Sequence, residues 1–394
     1  MAKKRKNSAS SQKFRVDFRR NRNAKTRIND WTQRFQADEF LNDDEKSVAD
    51  ERISGKGELV RKRTVIGTVL DAENASGERG DFTILPDIDF SRCQRGHVLH
   101  VNGLYSYVED QQGRIYTCVT RRILKTLATD QRQVVVVGDQ VLFRDANLPE
   151  RLEGVIERVE PRHGTLSRTS RNRKHIIVTN VDQVLIIQSA AEPYLKPNLI
   201  DRFIVTCERS GLKPIICINK IDLVDPVSLL PIVGCYAQMG YPTFLFSVKT
   251  GAGVERIHQL LKDRESVVVG QSGVGKSSLL NAVDPGNLNL QTGEVSEENQ
   301  KGKHTTTIAR LLKLSFGGYV IDTPGIRQFM LWDMIPEEVL GFYRDLRPYE
   351  NLCYFSDCRH LDEKNCAIKN AVALRRLDSR RYESYLALRN GEME

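Results

Sequence analysis

The stretch GQSGVGKSS at 270–278 sets glycines, a lysine and hydroxyls at the spacing of a polyphosphate cradle. Gly270, Gly275, Lys276 and Ser277 match G-x-x-x-x-G-K-[ST], and Gln271, Ser272, Gly273, Val274 and Ser278 complete the loop. Glycines let successive backbone N–H groups turn toward one anion, and the helix that follows adds the positive end of its dipole. Lys276 would reach the β- and γ-phosphates, and Ser277 would hold Mg2+. The loop follows the apolar run SVVV and precedes SLLNAV, the strand–loop–helix setting this motif needs. Downstream, VIDTPG ends an apolar run on Asp322, a carboxylate able to hold the same Mg2+, and Gly325 offers an amide to the γ-phosphate.

Base-reading residues lie upstream, in INKID at 218–222. The carboxylate of Asp222 can accept hydrogen bonds from guanine N1–H and the exocyclic amine. Adenine has no matching donors and would leave that carboxylate unpaired. Asn219 can bind the base edge and neighbouring loops, the stem of Lys220 can cover the base plane, and Ile221 completes the turn. FSVKTGAG then places Ser247 and Lys249 at the end of the next strand, where a further guanine-contacting loop belongs. The base loops therefore precede the phosphate loop, the reverse of the usual order. A parallel sheet tolerates this, because termini of a compact domain can be joined and a surface loop opened without altering the core. The order reads as circular permutation.

Many GTPases carry a glutamine after D-x-x-G to orient the attacking water, but this chain has Ile326 there. GKHTTT at 302–307 falls between the phosphate loop and DTPG, and His304 is its candidate for orienting water. One of Thr305, Thr306 and Thr307 should ligate Mg2+. Thr306 or Thr307 is favoured, and spacing does not choose between them. The Gly- and Asn-rich stretch before this motif is expected to order only with GTP or a partner, so slow intrinsic turnover is expected.

A second constellation, CYFSDCRHLDEKNC, brings Cys353, Cys358, His360 and Cys366 into a C-x4-C-x-H-x5-C array. Three thiolates and an imidazole form the closed tetrahedral set of a structural zinc, with no position for a reacting water. Spacing does not separate zinc from iron. The other cysteines are scattered and read as core thiols of a reducing compartment.

These motifs need elements to hold them. Short β-branched runs between 62 and 162 suggest a small five-stranded β-barrel of the OB-fold kind, and an SH3-like barrel or small sandwich would look similar. Apolar strands alternate with helical stretches over 163–335, an α/β pattern. Residues 336–394 read as a helical zinc-binding module. Residues 1–61 read as a basic arm without fixed structure.

Residues 1–34 hold twelve Lys or Arg against two acids, an excess larger than the net charge of +8 for the whole chain. Such an arm suits a phosphate-rich partner, because neutralising phosphates releases condensed counterions. The N-terminal stretch has no apolar segment, and no apolar run reaches bilayer length, so no membrane partner is expected and a cytoplasmic location is.

The order NKID, SVKTG, GQSGVGKSS, GKHTTT, DTPG, with a barrel before it and a Cys/His cluster after it, resembles the circularly permuted GTPases of the RsgA (YjeQ) family over about residues 62–394. The resemblance implies a GTPase stimulated by the ribosome. It would bind the 30S subunit and its 16S rRNA late in maturation and leave after hydrolysing GTP to GDP. It supports His304 in catalysis and the Cys353, Cys358, His360, Cys366 zinc set, since members carry both patterns. A monomer is expected. Two other readings stay open, namely an RNA-binding assembly scaffold with structural GTP and a permuted GTPase of the large subunit.

Overall fold

The computed structural model describes residues 12–18, 61–69, 84–86, 88–122, 124, 134–146, 151–170, 173–290, 309–322 and 335–391. They belong to two compact units. In the first, β1 (Gln12–Phe18), β2 (Arg61–Val69) and β3 (Ile84–Pro86) form an antiparallel sheet in that order. Gln12 lies opposite Gly67 and Phe18 opposite Arg61. Two sequence expectations change here. The stretch QKFRVDF, inside the arm read as structureless, is a strand: its Phe14, Val16 and Phe18 alternate with charged residues, a period of two that the basic composition obscured. RTVIGTV, which falls within the 62–162 stretch read as a barrel, pairs in this sheet instead. A period-two pattern marks a strand without saying which sheet it joins.

In the second unit, β4 (Gln94–Asn102), β5 (Tyr105–Asp110), β6 (Ile115–Thr120), β7 (Gln140–Asp145) and β8 (Glu153–Val159) close a barrel in the order β4-β5-β6-β8-β7. The parallel β6–β8 pair and the β4–β7 closure give the strand order of the OB barrel. Val98, Val108, Tyr116, Phe143 and Ile156 are fully buried. A ladder of β9 (Leu166–Ser170) and β10 (Arg173–Val178) follows.

The α/β portion holds β11 (Gln183–Ser189), α1 (Pro197–Arg209), β12 (Lys213–Asn219), α2 (Leu230–Gln238), β13 (Thr243–Leu245), α3 (Val254–Leu261), β14 (Glu265–Val269), α4 (Lys276–Val283), β15 (Arg310–Lys313) and β16 (Tyr319–Asp322). The sheet runs β13-β12-β11-β14-β16-β15, parallel except for the edge strand β15. Its central strands are near-continuous Val, Ile and Leu because both faces are covered. Val184 and Ile186 join one core, and Leu185 and Ile187 join the other. Pro197 opens α1 where its missing N–H costs nothing, and Ile200, Phe203, Ile204 and Cys207 put its apolar stripe on the sheet.

After residue 335, two 3-10 turns precede α5 (Ala367–Ala373) and α6 (Ser379–Arg389). This portion has a small core of Val339, Tyr343, Leu346, Ile368 and Tyr385, closed by Val205 from α1. Among the described residues no helix is long and apolar enough to cross a membrane.

Candidate nucleotide site and metal centre

Among the described residues, the phosphate loop, INKID and SVKTG lie at the C-terminal ends of parallel strands, where open α/β sheets place their ligands. The phosphate loop leaves β14, INKID leaves β12, and β11 lies between them. Two inter-strand steps separate the loops by about 10 Å, room for a ribose between base and phosphates. Gly270, Gly273 and Gly275 have φ of 150°, 78° and 92°, values that L side chains rarely adopt. A Cβ on Gly270 would lie 2.1 Å from the Ile187 carbonyl, and one on Gly275 2.4 Å from Asn219 Nδ2. The loop therefore packs closely on β11 and on Asn219, with no room for side chains at these two glycines, and α4 starts at Lys276.

Asn219 knits three loops together. It is 2% exposed. Its Nδ2 donates to the Val274 carbonyl at 2.9 Å, and its Oδ1 accepts the Val248 amide at 3.2 Å. The INKID loop, the phosphate loop and the SVKTG loop thus share one buried amide. Ser247 Oγ donates to Asp222 Oδ1 at 2.5 Å and accepts the Thr250 amide at 3.2 Å. The Ser247 hydroxyl holds the Asp222 carboxyl below the usual carboxylate range, with smaller help from Lys249 and Lys220. At neutral pH Asp222 is an acceptor-only group. Lys220 takes a left-handed turn, φ 62°, and its ammonium donates to the Glu192 carbonyl. Lys276 Nζ donates to the Gly270 and Gln271 carbonyls at 2.9 and 2.6 Å, which keeps the ammonium inside the loop's mouth.

Strand β16 ends on Asp322, beside β14 in parallel register, so the end of this strand and the phosphate loop are neighbours. His304, Thr305, Thr306, Thr307, Gly325 and Ile326 lie outside the described residues.

At the second constellation, the ligand atoms of Cys353, Cys358, His360 and Cys366 all lie within 4.8 Å of one another. Cys353 Sγ is 3.4 Å from His360 Nδ1, Cys366 Sγ is 3.5 Å from the same nitrogen, and the two sulfurs are 3.9 Å apart. Bond lengths of about 2.3 Å to sulfur and 2.0 Å to nitrogen around a tetrahedral ion put ligand atoms about 3.5–3.8 Å apart. The cluster could therefore hold one metal ion. Tyr382 fixes the histidine's backbone by donating to its carbonyl at 2.6 Å. Desolvation and the adjacent thiols push the Cys358 thiol up to about 12. A dication would reverse that preference by binding the thiolate.

Sequence reasoning missed a buried ionic joint. Arg381 on α6 is 2% exposed. Its guanidinium donates to Asp345 at 3.0 Å through two nitrogens and to Asp201 on α1, and it lies 4.4 Å from the Tyr343 ring centroid. Tyr236 donates to the same Asp201 at 2.8 Å. Burial opposes the arginine's charge, but Asp201 and Asp345 override it and raise its pKa.

The sheet order and the placement of base and phosphate loops define a P-loop nucleotide-binding protein of circularly permuted order. The model of the RsgA GTPase family matches residues 159–332. A small ribosomal subunit biogenesis GTPase RsgA from Histophilus somni (strain 2336) is 40% identical over 299 residues, covering 74% of this chain and 82% of the relative. The crystal structure of YjeQ from Thermotoga maritima is 34% identical with a TM-score of 0.61, over 76% of this chain and 98% of that one. The crystal structure of YloQ, described as a circularly permuted GTPase, is 26% identical with a TM-score of 0.58, over 78% and 98%. The chain belongs to the RsgA GTPase family.

Proposed function

We propose that this protein hydrolyses GTP to GDP and phosphate during late maturation of the 30S subunit, contacting 16S rRNA through the barrel, the metal module and the basic arm. The observation that carries the guanine pocket is Asn219, one buried amide bonded to the phosphate loop and the SVKTG loop at once. In this reading Asp222 and Ser247 accept and orient the base edge, and Lys220 and Lys249 flank it. Gly270 to Ser278 wrap the phosphates, and Lys276 moves from its carbonyl partners onto the β- and γ-oxygens. Ser277, Asp322 and one of Thr306 and Thr307 hold Mg2+, which neutralises charge on the phosphates. Gly325 donates to the γ-phosphate, and His304 orients the attacking water. Cys353, Cys358, His360 and Cys366 hold zinc, which stabilises a module too small to fold on its apolar core alone.

His304→Ala tests the enzyme reading. It should lower kcat for GTP by about a hundredfold and leave the protein trapped on small subunits after GTP is supplied. Unchanged turnover and release would favour a scaffold with structural GTP. The metal assignment has its own check. Purified protein should contain one zinc per chain by elemental analysis, and Cys358→Ser should lose it. That variant should open residues 335–391 to protease while GTP affinity holds. Metal-free protein with a protease-resistant C-terminal portion would contradict it.

A further inference from the structure

Strands β15 and β16 form a hairpin joining two segments that carry the proposed water-orienting, Mg2+ and γ-phosphate residues. GKHTTT lies just before β15, and β16 ends on Asp322, three residues before Gly325. Its cross-strand pairs run from Lys313–Tyr319 beside the turn to Arg310–Asp322 at the open end, a span of about 10 Å. The turn is tight: the Leu314 amide donates to the Gly318 carbonyl at 3.1 Å, and Gly317 and Gly318 have φ of 92° and 85°.

The barrel grips the turn end. Glu109 on β5 is 7% exposed, and its two oxygens accept from Lys313 Nζ at 2.6 Å and from the Tyr319 hydroxyl at 2.9 Å. His97, the antiparallel partner of Glu109 on β4, sets its ring edge-on to Tyr319 at 4.7 Å. Its Nε2 also lies 3.5 Å from Glu265 Oε1, at the start of β14. One cross-strand pair of the barrel thus holds one cross-strand pair of the hairpin.

We infer that Glu109 is a positioning residue for GTP hydrolysis, tying the barrel to the hairpin between the two switch segments so that barrel and γ-phosphate influence each other. The inference rests on the reading of 302–307 and 322–325 as the segments that orient the attacking water, ligate Mg2+ and contact the γ-phosphate. A nearly buried carboxylate with two donors tolerates little displacement, because moving either donor leaves an acceptor unpaired. The paired strands are stiff over so short a span. A small rotation imposed at Lys313–Tyr319 is therefore delivered at Asp322 and at the chain entering Arg310. Coupling of this kind is reciprocal: a ligand seated on the barrel biases the switches, and the nucleotide state biases the barrel.

Hydrogen exchange on the full chain, loaded with GDP or a non-hydrolysable GTP analogue, tests this without a ribosome. In wild type, amides of β4 and β5 should exchange at different rates in the two states. The difference should collapse in Glu109→Ala and in Tyr319→Phe, which removes only a hydroxyl and spares the fold. In both variants kcat should fall about fivefold or more while KM for GTP stays within about twofold. Identical barrel exchange in the two states of wild type, or a difference surviving both substitutions, overturns the inference. Absence of nucleotide protection at 270–278 in wild type would instead show that the pocket is misread, and the inference would fall with it.

Discussion

Asp222→Ala should lower GTP affinity by roughly 10²- to 10⁴-fold, the loss of two hydrogen bonds from the base to a charged acceptor. ATP affinity, already weak, should barely change, so the preference for guanine collapses. The effect is large because the carboxylate is held ready. Ser247 fixes one oxygen at 2.5 Å and keeps the group ionised, while Lys220 and Lys249 sit alongside. Asp222→Asn sharpens the test. The amide keeps an acceptor for N1–H but turns a donor toward the position of guanine's exocyclic amine. Xanthine has a carbonyl there, so XTP should bind this variant better than GTP does. Competition binding with GTP, XTP and ATP reads all three outcomes. Full GTP affinity in Asp222→Ala would remove the base loop from the pocket.

Arg381→Ala should destabilise the joint between α1 and the C-terminal portion by about 3–5 kcal/mol, the usual result of removing one partner from a buried ion pair. Asp201 would keep Tyr236 as a donor but lose its cation, and Asp345 would lose both of its guanidinium bonds. The Tyr343 ring would lose the cation beneath it. Because the cost arises from uncompensated carboxylates, adding Asp201→Asn and Asp345→Asn to Arg381→Met should recover most of the loss. Denaturant unfolding of the single and triple variants decides it. A single variant as stable as wild type would mean the network carries no net stabilisation. The location matters for function: Arg381 lies on α6, beyond the Cys/His cluster, and Asp201 lies on α1 beside the parallel sheet, so the joint fixes one helix relative to the other.

What could be read in advance was what is local in sequence. The phosphate loop and INKID announce themselves because backbone curvature and base recognition need particular residues at fixed spacing. The Cys/His array does so because its four candidate ligands happen to fall within one short segment. Permuted order was legible for the same reason, since each loop carries its own marker wherever it sits. Contacts that depend on which face of a strand or helix turns inward were not legible. Arg380 and Arg381 are neighbours in RRYESY, yet Arg380 pairs with the N-cap Asp378 while Arg381 points into the core with Ser384 and Tyr385. Nothing in the spacing distinguishes them, because the partner Asp201 is supplied by a distant helix. Glu109 was equally silent: a single acid on a barrel strand reads as solvent-facing until Lys313 and Tyr319 are brought against it. In β1, the apolar alternation was present but lay within a stretch whose charge dominated the reading.

Turnover of GTP by the purified protein, alone and with purified small ribosomal subunits, with large subunits in parallel, tests the account most directly. The account predicts slow hydrolysis alone, marked acceleration with small subunits and none with large ones, and no comparable turnover of ATP. Equal rates with and without small subunits, or acceleration by large subunits only, would contradict it.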